Sequence, residues 1–145
     1  MSTPAVDVRG PRFGAWVTTV VLAVVLVTSS GALLALQAVI FAVGAFAGLR
    51  YAPYGVVYRR LVAPRLSPPT QFEDAAPPRF AQAVGLVFAV VGTVGFLAGV
   101  PALGLTATAL ALVAAFLQAA FGFCLGCQIY LLLKRATTPA SQTTA

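Results

Sequence analysis

Histidine is absent from these 145 residues, methionine appears once and cysteine twice. The first absence removes imidazole acid–base catalysis and imidazole metal sites, and the second removes Met-rich copper sites. Acidic residues number three: Asp7, Glu73 and Asp74. Glu73 and Asp74 are adjacent in a proline-rich loop and read as solvated charges balancing Arg79 rather than as an acid–base pair. No Walker loop, dinucleotide fingerprint or hydrolase elbow is present, so no cofactor is expected. Only 8% of the residues are charged, whereas 60% are hydrophobic, and mean hydropathy is +0.96. A soluble domain of this length cannot bury so much apolar surface, so the expected class is an all-α integral membrane protein with the lipid bilayer as its first partner.

Two long blocks carry no charge, Phe13–Leu49 and Phe80–Leu133. Each exceeds the roughly 20 residues of one span and reads as a helical hairpin. The first breaks at TSSG, residues 28–31. The second breaks at GVPALG, residues 99–104, where Pro101 cannot continue a helix. Four spans follow, near 13–28, 32–49, 80–99 and 103–133. Arg12 and Trp16 anchor the short first span, and the long last one tilts or projects. All nine basic residues fall on one side of this arrangement. The positive-inside rule then puts both termini inside a bacterial cytoplasmic membrane. The parts are a cytoplasmic arm (1–12), a hairpin (13–49), a basic Pro-rich loop (50–79), a second hairpin (80–133) and a disordered tail (134–145). The net charge of +6 is thereby explained without nucleic acid. A signal peptide ending at SSGA would leave three spans, but apolar character resumes at once, which favours a retained first span. YGVVYRRLVAPRL, in the loop, reads as a segment lying on the inner leaflet.

The halves resemble one another. Pro11-Arg12-Phe13 opens the first hairpin and Pro78-Arg79-Phe80 the second. Gly44-xxx-Gly48 near the end of one matches Gly122-xxx-Gly126 near the end of the other. Both hairpins start and end inside, so an axis relating them runs along the membrane normal. Small-xxx-small pairs let helices approach closely, and Gln37 and Gln118 fall on the same faces, so spans two and four are expected to pack there.

Cys124 and Cys127 lie in FGFCLGC. On a continuous helix they share one face at a separation compatible with a disulfide. They belong to the inner, reducing side, where a permanent disulfide is not expected. Near the C-terminal end of a span the helix dipole opposes a thiolate. Three readings stay open: a redox or sulfur-accepting pair, half of a metal site completed by a homo-oligomer, and two small buried hydrophobes.

VDVRGPRFGAWV, PPRFAQAVGLVF and FGFCLGC together resemble a family of small bacterial membrane proteins, domain of unknown function 4395, over residues 5–135. The resemblance implies an integral membrane protein whose Phe-Cys-x-x-Cys signature falls on Phe123, Cys124 and Cys127. It also implies an association with thioredoxin-like or sulfurtransferase proteins, for which the 50–79 loop is the expected dock. The expected function is a membrane partner in thiol-redox or sulfur metabolism using Cys124 and Cys127. The alternative is a non-enzymatic scaffold or small-solute transporter with structural cysteines.

Overall fold

A computed structural model of the chain describes residues 5–137. The expected tail therefore lies outside the described residues from 138 onward, and Lys134 to Thr137 continue a helix. The fold is almost wholly helical. Helix α1 is Arg9–Thr28 and α2 is Gly31–Ala42, continued by a π-turn over Val43–Ala47. Helix α3, Pro53–Val57, is continued by irregular turns to Arg65. Helix α4 is Ala76–Leu97, α5 is Pro101–Phe121 and α6 is Leu125–Thr137. Two short strands, β1 (Ala5–Asp7) and β2 (Phe72–Asp74), pair antiparallel with Val6 opposite Glu73.

Both expected breaks form, each for a local reason. Ser29 takes a left-handed conformation, and the Ser30 hydroxyl accepts the Leu33 N–H at 3.1 Å, capping α2. Gly99 turns the chain at φ +81 before Pro101 opens α5. Helices α1 and α4 begin before Phe13 and Phe80, because Pro11 and Pro77 sit in first turns where the missing N–H is harmless. Three helices, α1, α4 and α5, are long and apolar enough to cross a membrane. The Gly31–Ala47 run is apolar but shorter.

Leu22, Val25, Leu34, Ala38, Phe41, Ala89 and Ala111 form the core. Small residues bring α4 and α5 together. A Cβ on Gly95 would lie 2.6 Å from the Gly104 nitrogen, and one on Gly104 would lie 2.6 Å from the Phe96 ring. Close backbone approach of this kind supplies packing energy where lipid offers no hydrophobic drive. Large apolar side chains such as Val20, Val39, Val87, Val94 and Leu110 point outward from the bundle. That surface suits lipid rather than water.

The fourth block is not one helix. Gly122 adopts φ +69 and ends α5, with its N–H on the Gln118 carbonyl at 3.0 Å. A new helix starts three residues later. The expected span 103–133 is therefore corrected to a membrane-length helix ending at Phe121 and a separate short helix beyond it. The sequence makes Gly122 a packing residue; a left-handed glycine is instead a helix terminator, and no atom beyond its chain neighbours lies within 4 Å of a Cβ built on it. Gly48 does the same at φ +108 after α2, also with open space around it.

The two halves repeat in space. Arg12 donates to the Ala119 and Ala120 carbonyls at the end of α5. Arg79 donates to the Ala45 and Phe46 carbonyls at the end of the α2 run. Each arginine thus caps the second helix of the other half, where its charge meets the negative helix end. Phe13 packs tilted against Tyr58 with ring centroids 5.8 Å apart, and Phe80 against Tyr130 at 5.7 Å. Gly14 lies against Tyr54, and Ala81 against Gly126. Helices α3 and α6 are therefore equivalent elements. The repeat matches Gly48 to Gly122, not the two GxxxG pairs to each other as the sequence suggested.

Candidate functional site

The break at Gly122 changes what the cysteines can do. Cys124 immediately precedes α6. Its carbonyl accepts the Gln128 N–H at 3.0 Å and its Sγ accepts the Cys127 N–H at 3.1 Å. Those bonds are the geometry of an N-cap, so the pair sits at the positive end of a helix dipole. The expectation that the dipole opposes a thiolate is corrected: it rested on a continuous helix running through the motif. The negative end of α5 is also met by the Arg12 guanidinium on Ala119 and Ala120. Cys124 and Cys127 are joined in a disulfide, with Cα atoms 5.1 Å apart. Both are half-buried, and Phe123 beside them is exposed. Among the described residues no group of three or more Cys, Asp or Glu side chains could hold a metal.

Helix α6 is held by α4. A Cβ on Gly126 would lie 2.6 Å from both Cα and Cβ of Ala81. Gly44 also faces α4, with a built Cβ 2.7 Å from Gln82 Oε1. The α2 run and α6 thus both pack on α4, instead of on each other as expected for spans two and four. The glutamines separate too. Gln37 is fully buried and accepts the Tyr54 hydroxyl proton at 2.6 Å through Oε1, while its Nε2 has no protein partner. Gln118 lies in α5 with a buried Oε1 that finds no protein partner.

Close to the same end of the bundle, β1 and the turn that follows α3 are locked together by Asp7. Its carboxylate pairs with Arg9 at 3.0 Å and accepts the Tyr58 hydroxyl at 2.7 Å. Burial raises the Asp7 carboxyl, but the bonds from Arg9 and Tyr58 outweigh it and hold it below the ordinary value. Glu73 is half-buried in β2, and burial raises its carboxyl. It is not the solvated charge the sequence suggested. Asp74 Oδ1 accepts the Ala76 N–H at 3.0 Å at the start of α4.

A cleft of about 540 Å³ opens beside this network, between the start of α1, the end of the α2 run, α3 and the start of α4. Arg50, Arg59, Arg79, Tyr54 and Gln82 line it. Sequence reasoning missed the cleft, because its walls come from four elements distant along the chain. The one sequence signal was the cluster of arginines and tyrosines in the loop.

Three apolar helices long enough to cross a membrane, in an otherwise apolar bundle, define a class: a helical protein of membrane-spanning composition. The chain matches Domain of unknown function (DUF4395) over residues 6–135 and belongs to that family. No curated protein and no solved structure matches it.

Proposed function

We propose that the protein is a bacterial cytoplasmic-membrane protein with four spans and both termini inside, which exchanges disulfides through Cys124 and Cys127. The short Gly31–Ala47 run completes the fourth span at about 25 Å, near the lower limit for crossing. The observation that carries the redox reading is the position of the disulfide at the N-cap of α6. There the Cys127 N–H and the helix dipole favour a thiolate on Cys124 once the pair is reduced.

In the reduced pair, the Cys124 thiolate attacks a partner disulfide. A mixed disulfide forms and one partner thiolate leaves. Cys127 gives up its proton to solvent and attacks Cys124 Sγ. The second partner thiolate leaves and the internal disulfide closes, with two electrons passed to the partner. A dithiol protein of the thioredoxin-like class reopens the pair by the reverse steps. The basic end of the bundle is the side such a cytoplasmic partner would meet.

The test is substitution with trapping. Cys127→Ser should leave Cys124 able to form a mixed disulfide but unable to resolve it, so a reductant-sensitive adduct should accumulate in cells. Cys124→Ser should form none and should lose activity. The scaffold or transporter reading predicts that serine is tolerated at both positions.

A further inference from the structure

We propose that the cleft between α1, the α2 run, α3 and α4 binds a phosphate-bearing anion with an apolar portion, a role separate from the cysteine chemistry. Three cations line it, Arg50, Arg59 and Arg79. The acid lining it, Asp7, is neutralised by Arg9 and bonded by Tyr58, so the cleft keeps a positive balance.

Two of the guanidinium groups are held on one side, Arg79 along an edge and Arg59 through one nitrogen. Arg79 donates through Nε and Nη2 to the Ala45 and Phe46 carbonyls. Arg59 donates through Nη2 to the Arg50 carbonyl. The Nη1 group of each takes no part in these bonds. A guanidinium fixed on one edge and presenting another suits the tetrahedral oxygens of a phosphate better than an ammonium does. Pre-positioning also lowers the ordering cost of binding. Part of the remaining wall is apolar, with Ile40 and Ala47 from the α2 run, beside the polar tips of Tyr51, Tyr54 and Gln82. A volume of about 540 Å³ matches small-molecule sites. Bare inorganic phosphate would leave the apolar wall uncovered, whereas a phosphate carrying carbon groups would cover both. A lipid headgroup and a soluble phosphate monoester share that chemistry.

The experiment is native mass spectrometry of the purified full chain, with melting measured in parallel. The probes are phosphatidylglycerol, phosphatidylcholine and hexyl phosphate. The expected result is retention of phosphatidylglycerol at least tenfold over phosphatidylcholine, with a raised melting temperature. Paired substitution Arg50→Gln and Arg59→Gln should abolish that preference. Arg60→Gln with Arg65→Gln removes the same charge from the same loop outside the cleft and should leave it intact. Ala47→Leu fills the apolar wall without touching charge and should also lose it. Hexyl phosphate that stabilises the protein alone and displaces the lipid would make a soluble monoester the occupant; failure to do so would make it the lipid. No preference for any phosphate probe would overturn the proposal. So would equal losses from the two arginine pairs, or unchanged binding by Ala47→Leu. None of these outcomes depends on the state of the cysteines.

Discussion

Replacing Gly126 by alanine places a methyl group 2.6 Å from both Cα and Cβ of Ala81. Ordinary carbon–carbon contact is about 3.5–4.0 Å, so α6 must retreat from α4 by about 1 Å. The obstacle is backbone and cannot rotate away. Overpacking of this kind costs about 1–3 kcal/mol, against a helix-propensity gain of up to about 1 kcal/mol. A net loss of about 1 kcal/mol is expected for alanine, and a larger one for leucine. Gly122 should behave differently. No atom beyond its chain neighbours lies within 4 Å of its Cβ position, but its φ is +69. A side chain there meets backbone strain of about 1–2 kcal/mol that does not grow with size. The assay is unfolding in detergent micelles by increasing sodium dodecyl sulfate, followed by far-ultraviolet circular dichroism. Stability should fall from Gly126→Ala to Gly126→Leu, while Gly122→Ala and Gly122→Leu should be alike. Wild-type stability in Gly126→Leu would refute the packing of α6 on α4. A much worse Gly122→Leu than Gly122→Ala would refute the terminator.

The repeat predicts matched effects from its two capping arginines. Arg12→Met and Arg79→Met should each cost about 1–2 kcal/mol in the same unfolding assay, and should add in the double variant. A large effect at only one would contradict the equivalence. Tyr54→Phe removes the hydroxyl that donates to buried Gln37 and should cost about 1 kcal/mol. Asp7 has a folded-state value below its ordinary 3.8. Its contribution is therefore present above that value and lost as pH falls through the folded value. Hydrogen-exchange protection over residues 5–9 and 71–75, taken relative to the intrinsic exchange rate at each pH, should fall on acidification through that range, and Asp7→Asn should lower it already at neutral pH.

Much of the fold was legible in the sequence because its punctuation acts locally. TSSG contains a serine cap and GVPALG contains a proline that must start a helix, so both turns follow from short-range chemistry. The arginines at the hairpin starts were legible as markers of one side. Their reciprocal capping was not, because it joins residues far apart along the chain. Gly122 was the costly misreading. In an apolar run, a glycine that ends a helix and a glycine that packs one look alike. The usable hint was length, since a block running from residue 103 to 133 exceeds what one bilayer crossing needs. Reading Gly122 as a terminator would have put Cys124 at a helix start and reversed the electrostatic argument about its thiolate. The bond from Tyr54 to Gln37 lay beyond sequence reasoning, because it pairs a loop tyrosine with a helix-interior amide.

The most direct test of the central claim is the accessibility of the two thiols in native membranes. Inverted and right-side-out vesicles are treated with a membrane-impermeant maleimide before and after mild reductant, and the mass of the protein is read. The account predicts labelling of Cys124 and Cys127 in inverted vesicles only, rising after reduction, as a reversible disulfide facing the cytoplasm requires. Cysteines that are already reduced and stay unlabelled until detergent is added would contradict it and leave them as packing residues.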